Sequence, residues 1–132
     1  MNKTLALIFC IGTLLAGCSS KPDISDINTQ IEALWEPCKL LEVIDLKKTN
    51  GFDQGSSYTL TYSYKLKFLS DFSIGGDGGW PSPELCPAGQ INILWEYAKE
   101  VNKRGRIMKK GEFIEVNDSA TLIKSEKGWV TK

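Results

Sequence analysis

Four cysteines and no histidine set the chemical limits of this chain. Without histidine it lacks the commonest general base, the commonest zinc ligand and every Ser-His or Cys-His nucleophile pair. Carboxylates are the remaining acid–base candidates, for example Glu112 with Glu115 or Asp71 with Asp77. Two facing carboxylates can hydrolyse a glycoside, but each of these pairs also reads as an ordinary solvated pair, so an enzyme is the less favoured class. Asp71 and Asp77 do not match the spacing of a calcium loop. The glycines at 75, 76, 78 and 79 are not followed by Gly-Lys-Ser/Thr, so they form no phosphate loop. No metal or cofactor is implied. The chemistry left to the chain is that of its thiols.

The first thiol to place is Cys18. Lys3 gives the N-terminus its positive charge, and Leu5 to Leu15 is apolar apart from Gly12 and Thr13. That run is too short to cross a bilayer core, which takes ~20 apolar residues. Ala16 and Gly17 follow, then Cys18. The run Leu15-Ala16-Gly17-Cys18 resembles the lipobox of bacterial lipoproteins. The resemblance implies thioether attachment of a diacylglyceryl group to Cys18, cleavage before it, and N-acylation of the new terminus by a palmitate-type chain. Residues 1–17 are then a signal peptide. Each buried methylene contributes about 0.8 kcal/mol, so three chains anchor firmly where one would not. Ser19, rather than aspartate, follows the cysteine. By the sorting rule of the same family this implies the outer membrane, facing the periplasm. Residues 18–22 form the tether. Four extended residues span at most about 14 Å, so the domain beyond them, residues 23–132, is expected close to the membrane surface.

In that oxidising compartment, with Cys18 acylated and Cys10 removed with the leader, Cys38 and Cys86 remain as a pair. A disulfide is the expected outcome. The whole chain carries 16 basic and 16 acidic residues. No charge excess points to nucleic acid.

The elements that position these groups read as follows. Ile24, Ile27, Ile31 and Leu34 recur at helical spacing, with Trp35 beside them and Pro37 as the stop. Asp23 or Ser25 can cap this helix. A strand over 39–47 has apolar residues on both faces, so it is expected largely buried, and Thr49-Asn50-Gly51 with Gly55-Ser56 marks a turn. Residues 57–69 alternate strictly. Tyr58, Leu60, Tyr62, Tyr64, Leu66 and Phe68 share one face, while Thr59, Thr61, Ser63, Lys65 and Lys67 share the other. Residues 70–90 read as a loop rich in glycine and proline. A second helix is expected over 90–104, with the stripe Ile91, Leu94, Ala98 and Val101 and with Gly105 behind it. Phe113 to Val116 reads as a strand, Asn117-Asp118-Ser119 as a turn, and 121–130 as the return.

The order α-β-β-α-β-β predicts a two-layer α+β domain, an antiparallel sheet with both helices on one face. The closing run from Lys110-Gly111-Glu112-Phe113 to Lys127-Gly128-Trp129 resembles the ends of cystatin-like or nuclear-transport-factor-like domains, which is the alternative fold. It implies no functional residue. Two functions are then expected. One is a non-catalytic binding or accessory lipoprotein that meets an envelope protein or cell-wall material near the membrane. The other is an inhibitor or immunity protein against a toxin or wall hydrolase, with the loop over 71–87 as a plug. Candidate contact residues are Trp80 and Phe72 in that loop and Tyr62 and Tyr64, if the tyrosine face is an open groove rather than a packed one.

Overall fold

The strict alternation after residue 57 becomes the strand on which the domain is built. The computed structural model describes residues 20–75, 81–100 and 105–132. In chain order these form a 3-10 turn (Ile24–Asp26), α1 (Asn28–Trp35), β1 (Leu41–Asp53), β2 (Ser57–Phe68), β3 (Phe72–Ser73), α2 (Ala88–Glu100), β4 (Ile107–Met108), β5 (Phe113–Ser125) and β6 (Gly128–Thr131). The chain is therefore α+β. The larger antiparallel sheet has the order β1-β2-β5-β6, and β3 pairs with β4 in a small ribbon. Among the described residues no helix is long and apolar enough to cross a membrane.

Every residue on the apolar face of β2, from Tyr58 to Phe68, is buried. The opposite face carries Thr59, Thr61, Lys65 and Lys67 at partial exposure and a buried Ser63. Full burial of a leucine or phenylalanine side chain contributes about 1.5–3 kcal/mol, so Leu60, Leu66 and Phe68, with no exposed surface, make this strand the main apolar contributor. β5 adds Ile114, Val116 and Leu122 to the same core. Ile27, Ile31 and Trp35 come from the first helical segment, and Ile91, Leu94 and Ala98 from α2.

Three expected boundaries shift. The first helix is split. The Asp23 N–H donates to Asp26 Oδ2 at 2.8 Å, and Ile27 leaves the helical region (φ −123°) before α1 begins. The buried strand expected at 39–47 instead runs to Asp53, through the residues read as a turn, and is mostly exposed beyond Leu41. It is exposed because it lies at the sheet edge and is bulged. Its register with β2 slips between Ile44 and Lys47 and again between Lys48 and Asn50. Asp45 takes a positive φ of 56° at the first slip, a conformation aspartate tolerates better than most residues. The turn is left to Gln54–Ser56, with Gly55 at φ 82°. The third shift is at Asn117-Asp118-Ser119. These residues do not turn. They continue β5 opposite Ser63, Tyr62 and Thr61, and the hairpin falls at Glu126-Lys127 instead.

The excursion between β2 and β5 is closed at its neck. Phe72 pairs with Met108, the Gly105 N–H donates to the Ile74 carbonyl at 2.8 Å, and Gly111 N–H donates to the Phe68 carbonyl at 2.8 Å. So the loop read over 70–90 contains a strand at one end and the first residues of α2 at the other. Val101 of the expected helical stripe lies outside the described residues.

Cys38 and Cys86 are bonded, with Cα atoms 4.0 Å apart. The Lys39 N–H donates to the Leu85 carbonyl at 2.7 Å beside the bond. The bond joins the end of α1 to the approach to α2 across 48 residues. Closing a loop of that size removes unfolded-state entropy worth roughly 4 kcal/mol. Cys38→Ser with Cys86→Ser is expected to lower the melting temperature by about 10–20 °C, read by circular dichroism. An unchanged melting temperature would show that the bond constrains nothing.

Candidate functional site

Burying tyrosines requires partners for their hydroxyls, and those partners come from both helices. From the end of α1, Trp35 Nε1–H donates to Tyr64 Oη at 3.1 Å. From α2, Tyr97 is hydrogen-bonded to Tyr64 and donates its hydroxyl to Asp118 Oδ2 at 3.3 Å. The Trp35 and Tyr97 rings are 6.4 Å apart, and Tyr62 and Tyr64 stack at 6.2 Å. Burial pushes the hydroxyls of Tyr62, Tyr64 and Tyr97 above the ordinary tyrosine value, and the Asp118 carboxylate pushes all three the same way. They stay neutral donors and acceptors at physiological pH. This network is suited to holding α1, β2, α2 and β5 together rather than to moving protons.

A second polar cluster binds the chain that follows Cys18. Trp129 Nε1–H on β6 donates to the Ser20 carbonyl at 2.8 Å. Lys48 Nζ on β1 donates to the Pro22 carbonyl at 2.7 Å. Tyr58 lies between them. Its ring is 5.1 Å from Lys48 Nζ and 6.1 Å from the Trp129 ring. Gly51 makes room for it, because a Cβ there would overlap the Tyr58 hydroxyl. The glycine expected to shape a turn therefore serves a close approach within a strand. Residues 20–22 are thus held by strands from the two opposite edges of the sheet.

A third feature is an apolar hollow of about 200 Å³ beside the disulfide, lined by Pro81, Pro83, Cys86, Ala88, Ile91 and Asn92. Among the described residues no charged side chain lines it. It fits an apolar side chain better than a charged substrate.

No family model matches the chain, and no curated protein or solved structure is significantly similar to it.

Cys18, Trp80 and Asp77 lie outside the described residues. Tyr62 and Tyr64 are inside the core, so the tyrosine face is packed and offers a partner no surface. Phe72 is buried as well, stacked on Phe68 at 6.0 Å, and is a core residue of the ribbon rather than an exposed anchor. Asp71 and Glu112 are both engaged locally. Asp71 accepts from Lys109 Nζ at 2.9 Å and the Lys110 N–H at 3.0 Å, and Glu112 accepts from the Lys109 N–H at 2.8 Å. The bond from Lys109 holds the Asp71 carboxyl below its usual range. Among the described residues no three of His, Cys, Asp and Glu converge as metal ligands. Sequence reasoning missed Lys48, Tyr97, Asp118 and Trp129. Only Trp129 carried a signal, since an indole N–H on a short terminal strand needs a partner.

Tyr64→Phe leaves the Trp35 N–H buried without its acceptor, and the expected cost is about 1–3 kcal/mol in denaturant unfolding. A loss below about 0.5 kcal/mol, the range of neutral surface changes, would remove the network from the account. The raised hydroxyl pKa values also set the alkaline limit. The unfolded chain ionises its tyrosines near about 10, whereas the folded chain holds these three protonated to higher pH. Their stabilisation is therefore complete below pH ~10 and is lost as pH rises further. In a chain carrying Tyr58→Phe, which leaves only these three tyrosines, tyrosinate absorbance is expected to rise together with unfolding, and a rise in the intact fold near pH ~10 would contradict the buried network.

Proposed function

We propose that the protein is a membrane-anchored envelope lipoprotein with a non-catalytic binding or accessory role near the membrane surface. The observation that carries this reading is the fastening of residues 20–22. Where the chain follows a lipidated Cys18, a folded body that fastens to it at Ser20 and Pro22 is suited to work beside the bilayer. A body meant to reach away from the membrane would use a free linker instead. The lipobox-like run and Ser19 support acylation and the outer membrane. The fold that goes with this reading is a two-layer domain with both helices on the apolar face of the sheet. It is supported by Trp35 and Tyr97 meeting at Tyr64.

A partner-binding role is favoured over catalysis by the composition and by the surface. Leu69, Leu85, Ile107 and Phe113 are large apolar side chains with substantial exposure. Strand register and chain position place them towards the disulfide end of the domain. Leu69 N–H bonds to the Leu40 carbonyl, Leu85 lies beside Cys86, Phe113 is in register with Lys67, and Ile107 is on the neighbouring ribbon. The apolar hollow is at the same end. Scattered apolar residues need no explanation, but an exposed leucine next to an apolar hollow, as Leu85 is to the one that Cys86 lines, suits a binding surface.

Two measurements test the reading. Intact mass spectrometry of protein produced with its own leader in a bacterial host is expected to show a diacylglyceryl and an acyl group on a chain beginning at Cys18, and Cys18→Ala is expected to lose both and leave the membrane fraction. An unmodified chain that retains Met1 would refute the anchor. Photocrosslinkers at Leu85 and Ile107 in the membrane-bound protein are expected to capture the same envelope component, and capture of none would remove the partner role.

A further inference from the structure

The chain is held in two different ways on either side of Ile27. From Ile27 onward it is embedded. Ile27 is 1% exposed, and its carbonyl accepts the first bonds of α1, from the N–H groups of Gln30 and Ile31. α1 therefore needs no residue before Ile27 to complete its own turns. Beyond its other end the chain is fixed by the Cys38–Cys86 bond. Before Ile27 the chain is held at points. Ser20 and Lys21 are exposed, Pro22 is buried, and Ile24 packs against the core at partial exposure. Trp129 and Lys48 fasten the carbonyls of Ser20 and Pro22. The 3-10 turn that follows is closed on itself. The Asp26 N–H donates to the Asp23 carbonyl at 3.0 Å, and the Asp23 N–H donates back to the Asp26 carboxylate. The break in helical backbone at Ile27 separates this turn from α1.

The stretch before Ile27 can therefore part from the body without disturbing it. Both fastening bonds go to main-chain carbonyls, which water can satisfy instead. Both donors are at the ends of side chains on the two edge strands, so the main-chain ladder of the β1-β2-β5-β6 sheet is unchanged when they let go. A segment held by exchangeable bonds and few buried side chains opens locally, ahead of the core. We infer that residues 20–26 are a releasable clasp, hinged at Ile27 and closed by Trp129 and Lys48. Its state sets the reach of the chain that precedes it. Closed, the clasp keeps the Cα of Cys18 within about 7 Å of Ser20. Open, 27 − 18 = 9 residues separate Cys18 from the hinge, and nine extended residues span about 30 Å. On the lipoprotein reading above, on which this use of the clasp rests, one anchor thus has a short tether and a long one.

Two features favour reclosing. Pro22 has a fixed φ, and it restricts Lys21 before it to extended conformations. The open stretch is therefore already stiff, and less chain entropy is lost when it closes. The receiving side is also preformed. The Tyr58 ring is buried on the central strand β2 and touches both Lys48 and Trp129, so the two donors stay near their stations while the clasp is open. A partner that draws the body away from the bilayer opens the clasp first, because the disulfide and the strand ladder hold everything beyond Ile27.

Hydrogen exchange read by mass spectrometry tests the clasp in protein purified from membranes of a bacterial host. The amides between Lys21 and Ile27 are expected to exchange by a route that low denaturant does not accelerate, the mark of local opening, whereas those of β2 follow global unfolding. Trp129→Phe keeps a ring against Tyr58 and removes the N–H. It is expected to speed exchange of the clasp roughly 2- to 10-fold, the range that one hydrogen bond supplies, and to leave β2 and β5 unchanged. Lys48→Met is expected to do the same through the other bond. Exchange of residues 21–27 in step with β2 would overturn the clasp. So would faster exchange of β2 in both variants, or no change in the clasp in either. The intact mass of the same protein separates the two ideas. If Cys18 is unacylated, the lipoprotein reading fails while the exchange still decides the clasp. If Cys18 is acylated and residues 21–27 exchange with the core, only the clasp fails.

Discussion

The apolar face of β2 carries six large side chains in alternate positions, three of them tyrosines, and the rest of the fold answers to them. Their rings are too large to leave in water, and their hydroxyls are costly to bury without partners. The two conditions together select what can cover the strand. A purely aliphatic helix would bury the rings and strand the hydroxyls. The chain instead brings an indole N–H from α1 and a phenol from α2 to Tyr64, and passes the far end of the chain of bonds to Asp118 at the rim of β5. The only charged member of the network is therefore placed where water reaches it. At the end of the strand away from the disulfide, the Tyr58 ring packs under Lys48 and against Trp129, the two residues that hold the Pro22 and Ser20 carbonyls.

How much of this was legible depends on whether a residue's partners are local. The alternation of 57–68 is a property of one strand with one wet face, so it could be read without knowing what covered it. The helical stripes of Ile27, Ile31, Ile91, Leu94 and Ala98 were legible for the same reason. Asn50-Gly51 and Asn117-Asp118-Ser119 failed because their types favour turns when the neighbouring strand is ignored. Both lie on strands paired with β2, whose ladder outweighs local preference. Once paired, each turn-former has a use that depends on a distant residue. Gly51 admits Tyr58, and Asp118 accepts from Tyr97. The edge position of β1 was equally invisible, since apolar residues on both faces look the same in a central strand as in a bulged one at the rim. The contact between Trp129 and Ser20 spans 109 residues, and nothing near either residue foretells it.

The distribution of fastenings gives the domain two unlike ends. At one, a disulfide and the adjoining backbone bond join α1 to the approach to α2, and exposed Leu85 stands next to Cys86, which lines an apolar hollow. At the other there is no covalent staple among the described residues, and the chain after Cys18 is held by two carbonyl contacts. A disulfide suits an end that must keep its shape while something binds to it, because it lowers the entropy of the unfolded chain whatever the contacts around it do. Two hydrogen bonds suit an end that need only hold a direction, since each contributes about 0.5–1.5 kcal/mol and can exchange with water.

Direction is what a tether of this length can control. A flexible linker of twenty or more residues would decouple the body from its anchor, and the face turned to the membrane would be set by chance collisions. Here Ser19 alone separates Cys18 from the first fastened carbonyl, so on the lipoprotein reading proposed above rotation of the body about a lipid on Cys18 would be limited as long as Trp129 keeps its bond. On the proposed reading the tether then helps set how steadily the disulfide end is presented to whatever meets it. Trp129 is the residue on which this coupling turns. It belongs to the edge strand, bonds to the Ser20 carbonyl, and packs against the Tyr58 ring. On that reading, losing the indole N–H while keeping the ring packed on Tyr58 would free the body to turn on its anchor, which separates the folding of this domain from its placement.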